Sequence, residues 1–423
     1  SRRQVLAGGL ATVAGTFFGV PSAIAAKGGL KGPNAATGLS KKNGLIGFKP
    51  LKIAEAVAKG MGATVPAISE DYEFDYLIPW GQSLYSGIAS YEGDPGTRPS
   101  ASDQANQIGI GHDGMWFFPK DGNSNDHGYL AINHEFGRNS HVLGKSFPEN
   151  AEDVMLSQHA HGVSVVEIKK SGGTWQLVQD NMNQARRIHV NTPVTFSGPA
   201  AGSALLETPA GNAPAGTVNN CANGYTPWGT YLTCEENFNG YFGANGDWEA
   251  TEEQERYGFS EGGFGYGWQT TAPRFDLSNP DYQNEENRFG WVVEIDPYDN
   301  SKMPVKRTAL GRVKHEGIAL TVGRGGRVVG YMGDDQRFDY IYKFVSDRNW
   351  KSMQAQGVSP LDEGKLYVAK FNDDGTGDWL ELTIENPALA ARFGSQAEVL
   401  VYARVAADIL GATPMDRPEW TTV

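Results

Sequence analysis

Residues 219–237 read NNCANGYTPWGTYLTCEEN. This stretch combines two thiols, two adjacent carboxylates and turn-forming glycines in one predicted strand-and-loop unit, with the strand over 228–234. A thiolate is a soft ligand and a carboxylate is a hard ligand, so a unit that offers both suits a transition metal beside a hard cation such as calcium. The stretch therefore indicates a metal-binding edge in a protein built from strands.

Cys221 and Cys234 leave two simpler interpretations open. Two cysteines in an exported protein more often form a disulfide, or lie inert in the core, than bind a metal. They flank a predicted tight turn, so a disulfide across that turn is physically possible. Residues outside this stretch therefore have to decide between a disulfide, an inert pair and a metal site.

The charge of the chain restricts its partners. The 423 residues carry a formal net charge of -13, which argues against nucleic acid and against anionic membrane surfaces. Such acidity suits a protein that binds cations. Bound metal ions become the dominant charges of a site and can reverse its local field. A phosphate substrate is therefore compatible with the negative overall charge.

The composition predicts an all-β protein. Glycine accounts for 54 residues and aromatic residues for 11% of the chain, and the apolar runs are short, which favours many strands joined by tight turns. The predicted strands cover residues 161–168, 175–179, 228–234, 290–295, 327–333, 340–345 and 365–371. They come in clusters separated by long loops such as 240–287, a pattern that fits a β-propeller with helical and loop insertions. A jelly roll or a β-sandwich stays open as the alternative.

Helical patterns are confined to residues 51–59 and to an Ala-rich amphipathic segment over 399–410 that ends at Gly411. Residues 27–70 are predicted to form a linker or a strap over the surface, because most of this segment is basic, Gly-rich and poor in aromatic residues. The propeller domain is predicted over residues 71–423.

The N-terminal residues have the pattern of an export signal. Ser1-Arg2-Arg3 is followed by a short, glycine-diluted apolar run and then by small residues that a signal peptidase accepts, which predicts a twin-arginine signal over residues 1–26. The apolar run is too weak to form a stable membrane span. The twin-arginine export machinery carries folded proteins, so the expected location is the periplasm or the outside of the cell.

Three further motifs place carboxylates beside small or polar residues. They are NHE at 133–135, HEG at 315–317 and GDDQRFD at 333–339. The three carboxylates of the last motif repel one another unless a cation neutralises them, and the Arg among them offers an anchor for phosphate. Taken singly, NHE is more often a hydrogen-bonded turn and HEG more often part of a solvated ion pair, whereas the Asp-rich turn fits a solvated turn and a calcium site equally well.

Together these motifs resemble the PhoX family of alkaline phosphatases along nearly all of the predicted mature chain. The resemblance also covers TALGR at 308–312, YMGDD at 331–335 and DRPEW at 416–420. It implies a β-propeller that hydrolyses phosphate monoesters and holds Fe3+ and Ca2+ ions in an oxo-bridged cluster. A monomer is expected.

Carried over residue by residue, the resemblance implies metal-binding roles for Cys221, Glu316, Glu135, Glu235, Asp334, Asp335 and Glu419. Cys221 is expected as the thiolate on iron and Glu316 as a carboxylate of the cluster. Asn133 and Arg337 are expected to act in catalysis, with Arg337 clamping the phosphate oxygens. Family members continue past the position of Val423, so the C-terminal blades of the propeller are expected to be missing. The phosphate-binding Arg would then alternatively lie beyond Val423.

Two other functions fit the same motifs. One is a non-catalytic, calcium-stabilised propeller that binds a partner at the cell surface, and the other is a calcium-dependent hydrolase of the lactonase type. A calcium-only site has little use for the thiol of Cys221, because calcium prefers oxygen ligands. The iron content of the protein therefore separates the phosphatase from both alternatives.

Overall fold

The computed structural model describes residues 49–58, 66–69, 72–94, 96–179 and 184–423. The chain divides into two compact units, Ser1–Tyr76 and Leu77–Val423. The predicted signal over 1–26 lies outside the described residues, as does most of the predicted strap over 27–70. In the first unit, the helix predicted over 51–59 is found as α1, Ile53–Ala58.

The second unit is built from three five-stranded sheets and one two-stranded sheet. The strands are β1 His112–Pro119, β2 His127–His134, β3 Gly162–Ser171, β4 Thr174–Leu177, β5 Arg186–Ile188, β6 Thr195–Ser197, β7 Asn220–Tyr225, β8 Tyr231–Glu235, β9 Val292–Ile295, β10 Val305–Arg307, β11 His315–Val322, β12 Val328–Asp334, β13 Arg337–Asp339, β14 Ile341–Ser346, β15 Gly364–Phe371, β16 Gly377–Glu381 and β17 Met415–Asp416. All seven predicted strands are present, with ends shifted by up to three residues.

The strand order shows how the sheets are connected. The first sheet runs β1-β2-β3-β4 with β5 also paired to β3, the second runs β6-β10-β9-β8-β7, and the third runs β11-β12-β14-β15-β16. The small sheet pairs β13 with β17. None of these sheets closes on itself within the described residues. The β-rich fold is therefore confirmed, and the ring of a propeller stays a prediction.

The helices of the second unit are short. They are α2 Ala101–Gln104, α3 Asn139–Val142, α4 Ala151–Ala160, α5 Glu252–Tyr257, α6 Trp350–Ala355, α7 Pro387–Ala390, α8 Gln396–Val401 and α9 Ala403–Leu410. In the part of the chain that the structure describes, no helix combines the length and the hydropathy that a bilayer crossing needs.

The helical segment predicted over 399–410 is confirmed, but it is divided into two helices. Tyr402 lies between α8 and α9 with φ -110° and ψ 42°, outside the helical region. The backbone carbonyl of Leu400 accepts a hydrogen bond from the backbone N–H of Arg312 at 2.9 Å. A carbonyl that is bound by another segment need not continue the helix, so the chain can bend here. The second helix ends at Gly411, as predicted, in the left-handed conformation with φ 69°.

Three strand pairs share one local design. The hairpins β1-β2, β7-β8 and β11-β12 are antiparallel, and in each a step of three residues on the first strand matches a step of two on the second. One extra residue in a strand is a β-bulge, which interrupts the regular alternation of side chains and is common beside binding sites. The bulges fall at residues 113–114, 221–222 and 316–317.

The first strands of these hairpins pack side by side. A Cβ on Gly114 of β1 would lie 2.8 Å from the backbone carbonyl oxygen of Cys221 in β7. A Cβ on Gly224 of β7 would lie 2.3 Å from the carbonyl oxygen of Ile318 in β11. Neither position has room for a side chain, so glycine lets the three strands meet backbone to backbone.

The long loop predicted over 240–287 supplies most of one hydrophobic cluster, which residues from neighbouring segments complete. It follows β8, contains α5, and packs mainly aromatic side chains together: Phe238, Tyr241, Phe242, Tyr257, Phe259, Tyr266, Trp268, Phe275 and Phe289. α5 begins with a capping box at Thr251 and ends at Gly258, which has a φ of 77°. The loop is therefore a packed wall beside the hairpins.

Candidate metal centre

The bulges of the three hairpins bring a thiol and two carboxylates together. Asp113, Cys221 and Glu316 occupy the bulges of β1, β7 and β11. The sulfur of Cys221 lies 3.1 Å from Asp113 Oδ2 and 3.3 Å from Glu316 Oε2. Cys221 and Cys234 are both free, so the interpretation as a disulfide is wrong.

A second carboxylate comes from the end of each hairpin's other strand. His112, Asn220 and His315 precede the bulges and pair with His134, Glu235 and Asp334. The residues that follow these partners are Glu135, Glu236 and Asp335. Successive side chains of a strand point to opposite faces, so one neighbour of each pair faces the bulges and the other faces away.

Glu235 faces away and is bound on all sides. It accepts hydrogen bonds from Lys306 Nζ at 2.7 Å and from the backbone N–H groups of Gly290 and Trp291 at 2.9 and 3.0 Å. Glu235 and Lys306 are both completely buried. Glu235 was expected as a metal ligand, but the structure places it in a buried ion pair with Lys306 that faces away from the bulges.

Asp334 is held in a similar way. Arg404 Nε donates to Asp334 Oδ2 at 2.8 Å, and both side chains are completely buried. Asp334 Oδ1 also accepts the backbone N–H of Lys314 at 3.2 Å. Through these contacts the ion pair fixes the backbone beside Glu316 and Asp335. Asp334 therefore lies behind the site, where it supports its neighbours.

The side chains that face the bulges form two groups that could each hold a cation. In one group, ligand atoms of Asp113, Glu135 and Cys221 lie within 4.8 Å of one another, and in the other those of Glu316, Asp335 and Glu419 do so. The short contact between Cys221 and Glu316 joins the groups. Sulfur and oxygen donors in one group, and oxygen donors alone in the other, suit a transition metal next to calcium.

Burial and mutual repulsion shift the pKa values of these groups. Burial, reinforced by Asp113 and Glu316, raises the pKa of Glu135 to about 7. Burial raises the pKa of Glu316 to about 7 as well, and Asp335 adds to the shift. Burial also raises the pKa of the Cys221 thiol above its usual range. A cation placed among such groups favours their charged forms, so the donor set is compatible with metal ions.

Glu236 completes the pattern of the three hairpins. It is 1% exposed, and burial raises its pKa well above the usual range. One carboxylate oxygen contacts the side-chain amide of Asn237, and Oε1 has no hydrogen-bond partner among the described residues. The charge of Lys314 favours its ionised form, whereas the charges of Asp335 and Glu316 disfavour it. Its free oxygen is a further candidate donor for a cation.

Two cationic side chains border the groups. Arg417 Nε donates to Asp335 Oδ1 at 2.8 Å, and Arg417 Nη2 lies 3.4 Å from Glu419 Oε1. Arg417 has a φ of 62°, a left-handed conformation that a residue other than glycine rarely adopts. Lys314 is nearly buried, and burial lowers its pKa to about 8. Both cations lie where an anionic ligand of the site would need positive charge.

The two residues expected in catalysis lie in different environments. Asn133 is completely buried, and its Nδ2 donates to the backbone carbonyl of Cys221 at 2.5 Å. Its Oδ1 accepts a hydrogen bond from Tyr231 Oη at 3.0 Å. Asn133 therefore holds the bulge that carries the thiol. Arg337 is exposed and pairs with Asp416 at 3.3 Å, so the structure does not bring it together with the two groups.

The family model for alkaline phosphatase PhoX matches residues 47–423. The chain belongs to the PhoX family. The structure of Pseudomonas fluorescens PhoX in complex with vanadate, a transition state analogue, is 44% identical and superposes with a TM-score of 0.78. The match covers 84% of this chain and 63% of that one, so the chain spans less than two thirds of that PhoX. A search of the curated proteins found no match.

Within this member of the PhoX family, five of the seven expected ligands come together: Cys221, Glu316, Glu135, Asp335 and Glu419. Three site residues were not expected from the sequence, namely Asp113, Glu236 and Arg417. Asp113 stands in HDG at 112–114, which has the same form as HEG at 315–317. That similarity was the available signal. The sequence around Glu235 and Glu236 does not show which of them faces the site, because that depends on the register of the strand that ends there.

Proposed function

We propose that the protein is an extracytoplasmic phosphomonoesterase that releases inorganic phosphate with the help of Fe3+ and Ca2+. The observation that carries this proposal is the contact of the Cys221 sulfur with carboxylates from the two other hairpins, in a chain of the PhoX family. The relative from Pseudomonas fluorescens supports the proposal, because vanadate is described there as a transition state analogue.

The donor chemistry divides the ions between the groups. Iron is assigned to Asp113, Glu135 and Cys221, since a soft thiolate favours a transition metal. Calcium is assigned to Glu316, Asp335 and Glu419, which offer only oxygen. When bound, these ions supply Lewis acidity toward phosphoryl oxygens and positive charge for the leaving alkoxide. Glu236 is proposed as an additional donor.

Arg417 is proposed as the guanidinium that holds the phosphate, in place of Arg337. Asp335 and Glu419 fix the position of its planar fork at the second group. A fork of this kind binds two phosphoryl oxygens at once and stays charged at any working pH. Arg337, whose side chain is 72% exposed, points to an ion pair with Asp416.

Asn133 is proposed to act through Cys221. Its amide binds the carbonyl groups of Cys221 and Ala222, so it sets the conformation of the bulge without contacting the ester. The ion pair of Asp334 with Arg404 plays the same part for the third hairpin. Rigid supports of this kind keep ligands at the spacing that a metal centre needs.

The remaining expectations become proposals on the same basis. Contact between the first strands of three hairpins supports an incomplete propeller over 71–423 whose central strands carry the site. Residues 1–26 are proposed as a twin-arginine signal and 27–70 as a strap, so the protein is proposed to act in the periplasm or outside the cell. A monomer is proposed as well. Fractionation of cells that express a tagged chain, with Arg2 and Arg3 replaced by lysine as the control, tests the route.

Hydrolysis of p-nitrophenyl phosphate by the full chain tests the function. We expect turnover that a chelator abolishes and that Cys221→Ala lowers to the background, together with loss of iron in elemental analysis. Cys234→Ala is the matched control, because Cys234 is completely buried in the main hydrophobic cluster. Its variant should keep iron and turnover. Turnover that survives both the chelator and Cys221→Ala would refute the proposal, and calcium without iron or turnover would indicate a binding protein.

A further inference from the structure

A cavity of about 480 Å³ opens beside Glu135. Its walls include Arg138, Asn219, Asn237 and Tyr266. This volume lies within the roughly 300–1,000 Å³ that is typical of sites for small organic molecules. A phosphate group alone is far smaller, so the cavity has room for the organic part of an ester whose phosphate lies at the two groups.

One wall of the cavity is aromatic and well supported. The ring of Tyr266 stacks on Tyr241 with centroids 4.2 Å apart and an interplanar angle of 14°. Phe264 is 58% exposed and covers Gly240, where a Cβ would lie 2.1 Å from its ring. Tyr241 Oη reaches the backbone carbonyl of Glu135 at 3.4 Å. The aromatic wall is therefore fixed to the same segment that supplies a candidate ligand.

Arg138 gives the cavity a free positive charge. Its side chain is exposed, and its guanidinium makes no hydrogen bond and no ion pair with any residue that the structure describes. An arginine without a partner, in an acidic chain and beside a cluster of carboxylates, suits an anion delivered by a ligand. Planar guanidinium groups also lie well against aromatic rings.

We infer that this cavity is a leaving-group subsite that favours phosphate esters of an aromatic alcohol carrying a second anionic group. The inference rests on the proposed phosphatase function. In the hydrolysis, the oxygen of a water molecule forms a new bond to phosphorus while the ester P–O bond breaks. The proton that this water releases is balanced by the proton that the aryl oxide takes up to leave as a phenol. The second anion takes no part in this reaction, and Arg138 binds it throughout.

Two esters that differ only in the second anion test the inference. We compare kcat/KM for phenyl phosphate and for 4-carboxyphenyl phosphate in the wild-type chain and in Arg138→Gln. The substitution should lower the preference for the carboxylated ester by about fivefold, since a charged hydrogen bond of an exposed arginine is worth roughly 1 kcal/mol. The ratio of the two kcat/KM values is compared between the wild-type chain and Arg138→Gln, so the difference in intrinsic reactivity between the two esters cancels.

Control variants separate a specific contact from a general loss of charge. Arg324→Gln removes an exposed arginine at the β11-β12 turn and should leave the ratio of the two esters at the wild-type value. Arg138→Lys should restore part of the preference, and Phe264→Ala should lower the ratio of kcat/KM for phenyl phosphate to kcat/KM for ethyl phosphate.

An unchanged preference in Arg138→Gln would overturn the inference and leave the proposed phosphatase function intact. No hydrolysis of any ester by the wild-type chain would overturn the proposed function, and the inference with it.

Discussion

Glu235 and Glu236 are adjacent and equally buried, yet their surroundings are opposite. Glu235 has Lys306 and two backbone N–H groups as partners, whereas one oxygen of Glu236 has no hydrogen-bond partner among the described residues. Asp334 and Asp335 also differ, since Asp334 is held by completely buried Arg404, whereas Asp335 lies in a candidate cation group and pairs with the half-exposed Arg417. In both hairpins the first of the two neighbours serves stability and the second is available for binding.

This difference shows how a strand end can carry two tasks. Alternation of side chains sends neighbours to opposite faces, so a stabilising ion pair and a ligand can share one turn of backbone. Burial is costly for a carboxylate on either face. On the outer face, which points away from the bulges, completely buried Lys306 and Arg404 offset that cost. On the inner face, which points to the bulges, Arg417 and Lys314 offset only part of it, and a cation can neutralise the rest.

Among the substitutions that test this difference, Asp335→Asn should have the largest effect. Loss of a carboxylate from the second group should lower kcat/KM for p-nitrophenyl phosphate by at least about a hundredfold, because even indirect supports of metal ligands are worth 10- to 100-fold. Calcium content should fall in elemental analysis. Asp416→Asn changes an exposed aspartate that pairs with Arg337 and serves as the control. Equal effects of the two substitutions would remove the special status of the inner face.

Glu235→Gln should cost folding stability. It leaves Lys306 buried without a counter-charge, which costs about 3–5 kcal/mol in the free energy of unfolding. Urea denaturation in the presence of chelator measures this loss without a contribution from metal. Glu381→Gln, which breaks an exposed pair with Lys365, is the control and should cost less than about 1 kcal/mol. A mild effect of Glu235→Gln would show that the outer face is not specialised for stability.

Glu236→Gln should act in the opposite direction when metal is removed. Burial disfavours the charged form of Glu236 more than Lys314 favours it, so replacing the carboxylate by an amide should raise the free energy of unfolding in chelator by about 1 kcal/mol. The same variant should hold less metal than the wild type when cations are supplied. A destabilisation similar to that of Glu235→Gln would contradict the distinction between these neighbours.

His161 shows what burial does away from the candidate groups. Burial lowers its pKa to about 4, below the value of about 6.5 in the unfolded chain. Neutral His161 therefore contributes fully to the free energy of unfolding above about pH 6.5. This contribution is lost progressively as the pH falls from about 6.5 to about 4, because the unfolded chain binds a proton there and the folded chain does not. About 1 kcal/mol is lost by pH 5.5. Denaturation curves of His161→Gln should show a weaker loss over this interval. An identical pH dependence in both proteins would contradict the shift.

The sequence predicted the strands, because alternating apolar residues and turn residues are local signals. It did not predict the break at Tyr402, because the carbonyl of Leu400 is bound by a segment nearly a hundred residues earlier. The motifs identified the hairpins that meet at the site. The motifs did not show which of two neighbouring side chains at the end of a strand faces the site. Glu235 and Asp334 were therefore expected as ligands, together with Asp335. Such a phase depends on bulges and long-range packing.

Arg417 was missed for a different reason. Its role depends on a left-handed backbone conformation and on Asp335, which is distant in sequence. Neither property leaves a local trace in the sequence. Arg337 was expected instead because it stands near the acidic pair in sequence, and proximity along a chain is a weak guide at the end of a strand.

The backbone contacts at Gly114 and Gly224 have a consequence for the choice of ion. The spacing between the three hairpins is set by main-chain atoms, so it does not depend on which side chains the bulges carry. An exchange of sulfur for oxygen at position 221 would change the softness of the donor set and leave the frame in place. Preference for one metal over another can then be altered at single positions, without any rebuilding of the sheets.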